Sequence, residues 1–169
     1  VGARIPIWST KCFTARWFGP GPSLVAADLR WTGPDLLDGS VTNRMNVPLR
    51  DAMLAFGRQV YFLDSVAPGA TVQVHTTDNR LLATRLKRNM TPKKAGSPGA
   101  NQEGNLDRHD LLLAMMFHGS LATVTGEALT PSAALRDLDL TGQLALNRPM
   151  LVARIDRPAA QLDLAGASS

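Results

Sequence analysis

Side chains that could act as metal ligands, nucleophiles or bases are few and poorly spaced in this sequence. His109 and His118 are nine residues apart, so on one helix they would point in nearly opposite directions and would not share a metal ion. His75 lies near Asp78, but the pattern offers no third ligand. Ser120 follows His118 closely, yet neighbours along a chain rarely adopt the geometry of a nucleophile and its base. The spacing therefore predicts neither a metal site nor a serine hydrolase.

Paired carboxylates are similarly uninformative. Asp35 with Asp38, and Asp137 with Asp139, have the composition of an acid and base pair, but they lie in ordinary turn and helix-end sequence. Solvation at the surface explains them more simply. The motifs G-x-S-x-G, G-x-G-x-x-G and H-E-x-x-H and the P-loop are absent from the sequence. We therefore predict no catalytic residue, no cofactor and no enzymatic activity.

The first residues of the chain are aromatic and contain the single cysteine. Because Cys12 is the only cysteine, this chain can form neither an internal disulfide nor a cysteine-based metal site by itself. Its apolar surroundings, IWSTKCFTARWF, are typical of a small buried hydrophobe rather than a nucleophile. Trp8, Trp17, Phe18 and Trp31 are the candidates for a sugar-stacking face, but their alternation with polar residues favours burial in a core.

Positive charge is concentrated in one segment. The chain has a formal net charge of +4, and the basic excess lies in residues 1–88. The densest cluster contains no acid and comprises Arg80, Arg85, Lys87, Arg88, Lys93 and Lys94. Such a cluster could bind a protein partner or an anionic envelope surface. Nucleic acid is disfavoured because the tryptophans are distant and no RNP-like, zinc or recognition-helix motif accompanies the cluster. The simpler interpretation, which we favour, is a solvated strand end that runs into a loop, since charge runs are commonly solvated faces.

Strand patterns dominate the first half of the chain. In SLVAADLRW the apolar residues recur at every second position, which predicts a half-buried strand with Val25, Ala27, Leu29 and Trp31 on one side. Residues 49–56 are apolar at nearly every position, as in a central strand. Gly57-Arg58 predicts a tight reversal into a partner strand at 59–63. Pro68-Gly69 predicts a type II turn. Further strands are expected at 39–43, at 71–75 and within RPMLVARIDRP.

The second half combines a polar segment with helical patterns. Residues 89–105 are rich in Gly, Pro, Asn and Lys and predict a mobile loop. Asp107 is a candidate helix cap, and Gly119 a candidate helix end. Between them, Leu111, Leu112, Met115 and Met116 recur at helical spacing, which predicts one substantial helix over about 107–118 that packs on the sheets. TPSAALRDL predicts a further helical turn or two, so the helical insertion extends over about 107–137.

One spacing of turn and core residues resembles a known module. The pattern runs G-x-V-x-N, L-x-D-x-x-L-x-x-G, V-Y-x-L and then P-G before an alternating strand. Its positions are Gly39, Val41, Asn43, Leu49, Asp51, Leu54, Gly57, Val60, Tyr61, Leu63, Pro68 and Gly69. It resembles an immunoglobulin-like β-sandwich module of uncharacterised bacterial cell-envelope proteins, found beside membrane anchors. The resemblance implies a mainly β fold with two packed sheets, one inserted helix and a long polar loop, in a single domain over 1–169. It carries no catalytic residue with it.

Two functions from different classes follow from these patterns. The first is a non-catalytic extracytoplasmic module, in the periplasm or at the cell surface, that serves structure or protein interaction within a larger membrane-anchored protein. The chain starts at Val1 without a leader, so we expect a trimmed or mature segment. No apolar run reaches the roughly 18 residues that span a bilayer, so membrane association would depend on regions outside this chain. The alternative is a ligand-binding or hydrolase domain with a site between the sandwich and the helix at 107–119. A pocket containing His109, Asp110 and His118 with Asp or Ser would favour it.

Overall fold

The computed structural model describes residues 23–90, 107–125 and 138–157. Seven strands lie in this part of the chain: β1 Val25–Gly33, β2 Leu36–Asn43, β3 Leu49–Phe56, β4 Gln59–Val66, β5 Thr71–Val74, β6 Asn79–Leu81 and β7 Met150–Arg154. The helices described are α1 Leu82–Met90, α2 Arg108–Met116, α3 His118–Thr125 and α4 Thr141–Leu144, together with a 3₁₀ turn at Thr76–Asp78.

The strands form two antiparallel sheets. One sheet has the order β1-β2-β5, and the other has the order β6-β4-β3-β7. Each strand pair is antiparallel, from the β1–β2 hairpin to the pairing of β3 with the distant β7. The prediction of a mainly β fold with two sheets is confirmed, and it follows from period-two alternation separated by turn residues.

Two hydrophobic cores lie on opposite faces of the four-stranded sheet. Between the sheets, Leu37 and Val41 of β2 pack with Leu54 of β3 and Tyr61 of β4. On the other face, a second core joins strand residues to the helices and comprises Met53, Ala55, Val60, Leu82, Leu86, Leu113, Ala114, Phe117, Leu121 and Leu144. The described residues thus form three layers. Because β3 is covered on both faces, its sequence is apolar at nearly every position, as a central strand requires.

The turn predictions of the first half are confirmed. Gly57 opens the two-residue reversal between β3 and β4 with φ +53°, a value that glycine adopts without a Cβ clash. Gly69 has φ +73°, and the N–H of Ala70 donates to the carbonyl of Ala67 at 3.0 Å, closing the turn that Pro68 enters. The strand expected within RPMLVARIDRP is β7.

Helix α1 was not anticipated from the sequence. The expectation that the basic strand end runs into a loop is wrong, because the segment continues from the short strand β6 directly into the helix Leu82–Met90. Its described basic residues are exposed, as a solvated segment requires. Leu82 and Leu86 are buried, one helical turn apart, and Met90 packs beside them in the second core. This spacing of four is the signal of an amphipathic helix. The predicted loop at 89–105 therefore begins within α1, and its residues 91–105 lie outside the described residues.

The helix predicted over about 107–118 is interrupted. Asp107 caps α2 as expected, since its carboxylate accepts a hydrogen bond from the N–H of His109 at 3.0 Å. At Phe117 the backbone leaves the helical region with φ −127° and ψ 37°. Phe117 is fully buried, and α3 resumes at His118, so Gly119 does not end the helix. Most of the insertion predicted beyond this point, residues 126–137, lies outside the described residues.

The buried face of α2 is not the one that the sequence spacing predicted from Leu111, Leu112, Met115 and Met116. Leu111 and Leu112 remain 43% and 54% exposed, whereas Leu113 and Ala114 are buried against the four-stranded sheet. Residues 111–116 are six apolar residues in succession, which allow more than one face of the helix to be buried, and the position of the helix on the sheet decides which face is buried.

Trp31 is not a core residue. The prediction of burial is wrong for this side chain, which is 65% exposed. Val25 and Leu29 of the same strand face do pack against the core between the sheets. Trp31 lies toward the end of β1, where its ring contacts that of Phe56, the last residue of β3, at 5.9 Å between centroids. Trp8, Trp17 and Phe18, like Cys12, lie outside the described residues.

Candidate functional site

The basic segment predicted as an anion-binding surface lies at the junction of β6 and α1. Arg80 is on β6, and Arg85, Lys87 and Arg88 are on α1, and all four are exposed. Arg85 and Arg88 are three positions apart and therefore lie on neighbouring turns of one helix face. Lys93 and Lys94, the remaining two predicted residues, lie outside the described residues.

A groove of about 300 Å³ brings three of these residues together. It is lined by Phe62, Arg80, Leu81, Thr84, Arg85 and Arg88. Lys87 is not among the lining residues, because it lies two positions from Arg85 on a different side of the helix. We call this feature the basic groove. Sequence reasoning identified its arginines but not its apolar residues.

Two apolar side chains are exposed in the basic groove. Phe62 is 39% exposed and Leu81 is 53% exposed. The guanidinium carbon of Arg85 lies 5.0 Å from the centroid of the Phe62 ring, which is a cation–π distance. Phe62 projects from β4 on the face opposite Tyr61 and Leu63, whose side chains are buried in the core between the sheets. In the sequence, the unbroken apolar run at 60–63 gave no sign that one member is exposed.

The positive charge of the basic groove is not neutralised by the described carboxylates. The ion pairs between described residues are elsewhere and join Arg50 to Asp156, Arg58 to Asp35 and Arg154 to Asp51. Arg80 donates to the carbonyl of its neighbour Asn79 at 2.7 Å, which leaves its charge unpaired. Three guanidinium groups beside exposed apolar surface form a site that is complementary to a carboxylate or phosphate attached to an apolar group.

A second cleft, of about 280 Å³, lies between the four-stranded sheet and the start of α2. His109 and Asp110 line it together with Asp51 and Asp64. This is part of the arrangement that the ligand-binding or hydrolase alternative requires. His118 is not among its lining residues, and Ser120 lines a different cavity. The structure therefore does not bring the two predicted histidines and a serine into one site.

Hydrogen bonds in this cleft connect neighbouring elements. Asn89 at the end of α1 donates to the carboxylate of Asp110 on α2 at 2.5 Å. Arg154 of β7 pairs with Asp51 of β3 at 3.0 Å. Asp51 and Asp64 both have positive φ, +47° and +52°, at irregular positions of the β3–β4 pairing. The bonded members thus have a structural role: one bond joins α1 to α2, and the other joins β7 to its neighbouring strand β3.

The other candidate acids have structural partners. Asp35 lies in the turn between β1 and β2 and pairs with Arg58 at 3.0 Å. Asp139 accepts hydrogen bonds from the N–H groups of Gly119 and Thr141 at 3.1 and 2.9 Å, which holds the chain beside the start of α3. Asp38 is exposed on β2, and Asp137 lies outside the described residues.

Tyr61 is the one described group whose pKa is clearly displaced. Burial raises the pKa of its hydroxyl above the usual range, and Asp35 and Asp38 raise it further by repulsion of the phenolate. The hydrogen bond from the N–H of Leu37 acts in the opposite direction. Tyr61 lies between the sheets, away from the clefts, so this shift reflects a structural role.

The described residues contain neither a metal cluster nor a membrane-spanning helix. Within 23–90, 107–125 and 138–157, no group of three His, Cys, Asp or Glu side chains has the arrangement of a metal site. In those ranges the helices are too short or too polar to cross a bilayer.

The family described as Domain of unknown function (DUF8725) matches residues 25–167. The match covers both sheets and the helices packed on them. The chain belongs to this family. No curated protein and no solved structure shows significant similarity to the chain. The family range includes the basic groove, the cleft lined by His109 and Asp110, and the motif at 39–69, so all three belong to the family's domain.

Proposed function

We propose that this domain is a non-catalytic binding module of a larger bacterial cell-envelope protein, and that its basic groove binds an acidic segment of a partner protein. The single observation that carries the proposal is the arrangement of Arg80, Arg85 and Arg88 around exposed Phe62 and Leu81. Exposed guanidinium groups beside exposed apolar side chains are complementary to a partner that combines negative charge with an apolar residue.

The shape of the site favours a peptide over a membrane surface. Guanidinium groups form paired hydrogen bonds with carboxylates, and the exposed apolar side chains can contact an apolar residue next to the acidic ones. A flat layer of lipid headgroups would engage protruding charges and would gain little from a concave groove lined by Phe62 and Leu81. We therefore expect the partner segment to combine Asp or Glu with a large apolar residue.

Binding of the acidic segment should be weak because the arginines of the basic groove are exposed to solvent. An exposed ion pair contributes about 0.2–1 kcal/mol, so three arginines alone produce weak binding. The Debye length is about 8 Å at physiological ionic strength, and binding should therefore weaken as salt is raised. The apolar contact at Phe62 adds a contribution that salt does not screen.

A non-catalytic role is supported by the separation of the candidate catalytic groups. His109 and Ser120 line different cavities, so these two described residues do not meet as the base and nucleophile that acyl transfer needs. The envelope location is supported by the resemblance of the motif at 39–69 to extracytoplasmic modules. A fusion of the full-length protein to a reporter enzyme that is active only outside the cytoplasm tests it, and an inactive, stable fusion would contradict it.

Binding to a glutamate-rich peptide with a central leucine tests the groove. We expect saturable binding that is weakened roughly tenfold or more by the triple change Arg80→Gln, Arg85→Gln and Arg88→Gln. A matched control is Arg30→Gln, Arg44→Gln and Arg148→Gln, which removes the same charge from exposed positions outside the groove. Phe62→Ala should weaken binding without changing its salt dependence.

Three results would contradict the proposal. Equal loss in both triple variants would show that net charge alone drives binding. Binding to phosphatidylglycerol vesicles without binding to the peptide would assign the groove to a membrane surface. Absence of saturable peptide binding at low salt would remove the acidic segment as the partner.

A further inference from the structure

A larger cavity adjoins the basic groove, with which it shares Leu81 and Thr84, and opens between the turns of the sheets and the helical layer. Its volume is about 670 Å³, within the range of sites that bind small organic molecules. It is bounded by Asp35 and Arg58 in two strand turns, by the first turn of α1, by Gly119 and Ser120 of α3, and by residues 141–147 around α4.

The lining combines an aliphatic surface with a few hydrogen-bonding groups. Leu81, Leu82 and Leu144 supply the larger apolar side chains, and Ser120 and Asn147 are among the polar residues. Leu81 is 53% exposed and supplies the most accessible of these side chains, whereas Leu82 and Leu144 are members of the second core and are only 1% and 3% exposed. An apolar surface with a small number of polar groups is the usual composition of a small-molecule site.

The walls of the cavity are connected by hydrogen bonds. Asp35 and Arg58 join the two strand turns at 3.0 Å, and the N–H of Leu82 donates to the carbonyl of Arg58 at 2.9 Å. On the opposite side, the N–H of Ser120 donates to the hydroxyl of Thr141 at 3.2 Å. These bonds hold separate parts of the chain around one space, so the cavity is preformed and a ligand would not have to order its walls.

The charges of the lining balance each other. Arg58 and Asp35 are the charged lining residues among those the structure describes, and they form an ion pair. An ionised ligand would have no unpaired opposite charge in the cavity, whereas an uncharged ligand would leave the pair undisturbed. We infer that this cavity binds a small uncharged organic molecule with an apolar body and a hydroxyl or amide group. This binding activity is separate from the proposed peptide binding.

The test uses the full chain and the uncharged dye N-phenyl-1-naphthylamine, whose single N–H accompanies two aromatic groups. We expect saturable fluorescence enhancement with one dye per chain and with little dependence on salt. A neutral phenylalkanol should compete with the dye, since it offers the same combination of an apolar body and one hydrogen-bonding group.

Ala145→Trp is the variant that should remove binding. Ala145 lines the cavity yet is exposed, and its backbone is in the helical region, so a large side chain can enter the cavity without displacing the core. The dissociation constant should rise at least about tenfold, with the melting temperature little changed. Ala27→Trp is the matched control, because Ala27 is exposed on β1 outside the cavity, and it should bind the dye like the unmodified chain.

Dye binding by the triple arginine variant distinguishes the cavity from the basic groove. The triple change at Arg80, Arg85 and Arg88 should leave dye binding intact, because these residues line the basic groove and not the cavity. Loss of dye binding in that variant would place the dye in the groove and overturn the inference. Unchanged binding in Ala145→Trp, or no saturable binding in the unmodified chain, would overturn it as well.

Discussion

The hydroxyl of Tyr61 on β4 accepts a 2.8 Å hydrogen bond from the backbone N–H of Leu37 on β2. This bond joins the two sheets inside their shared core, where both residues are at most 1% exposed. Strand β5 pairs with β2 only over residues 39–42, so Leu37 lies beyond the end of that ladder. The tyrosine supplies the partner that a neighbouring strand would otherwise provide.

Tyr61→Phe should destabilise the domain while retaining its packing. The ring volume is kept, but the buried N–H of Leu37 loses its partner, which costs about 1–3 kcal/mol. Denaturant unfolding measured by circular dichroism checks this value. A change below about 0.5 kcal/mol would show that water or a small backbone movement satisfies the N–H.

The raised pKa of Tyr61 predicts a loss of stability at alkaline pH. Burial favours the neutral hydroxyl in the folded state, whereas in the unfolded chain the group ionises near its usual value of about 10. The contribution is therefore fully present below about pH 10 and is lost as the pH rises through the higher folded value. Unfolding free energies measured between neutral and alkaline pH should fall less steeply in Tyr61→Phe than in the unmodified chain.

Asn43→Ala should be among the most destabilising polar substitutions. The fully buried amide of Asn43 donates to the carbonyls of Val47 and Val66 at 2.9 and 3.0 Å, and its oxygen accepts from the N–H of Met45 at 2.9 Å. Its removal leaves several buried backbone groups without partners, at a cost of about 2 kcal/mol or more. Asn46→Ala, at an exposed neighbouring position, should change the unfolding free energy by less than about 0.5 kcal/mol. Equal effects would contradict this role.

Gly39→Ala and Gly69→Ala should separate steric overlap from backbone strain. Both glycines have positive φ, +140° and +73°. A Cβ at Gly39 would overlap the backbone carbonyl of Asp28 on the paired strand, whereas a Cβ at Gly69 meets no heavy atom within 4 Å. Gly69→Ala should therefore cost about 1 kcal/mol, and Gly39→Ala considerably more, as measured by thermal and denaturant unfolding. A smaller effect at Gly39 would mean that β1 moves aside easily.

Trp31→Ala and Phe117→Ala should differ widely in stability. Trp31 is 65% exposed and Phe117 is fully buried. Truncation of a buried phenylalanine costs about 3–5 kcal/mol, whereas loss of the ring contact between Trp31 and Phe56 should cost about 0.5–1.5 kcal/mol. Comparison of the two unfolding midpoints checks this difference. A loss at Trp31 as large as that at Phe117 would indicate that the tryptophan is covered in solution.

The local sequence pattern was sufficient to predict much of the β structure. The apolar run at 49–56, the glycine at 57 and the partner run that follows it predict a hairpin, because alternation and positive φ are properties of short segments. The motif residues Asn43 and Gly69 were recognisable for the same reason, although the bonds made by Asn43 reach carbonyls that are distant in sequence. The cap at Asp107 was likewise predictable from its position before an apolar run.

Sequence alone determined that the chain is mainly β, where several of its strands and turns lie, and which segment concentrates positive charge. Tertiary structure decided that Leu82 and Leu86 form the buried face of a helix, that α2 buries Leu113 rather than Leu112, and that Trp31 and Phe62 remain exposed. It also decided that three arginines lie beside Phe62 and that separate segments of the chain enclose the cavity lined by Leu144. The physical reason is that burial depends on which distant surface covers a side chain, and local spacing is compatible with more than one such surface.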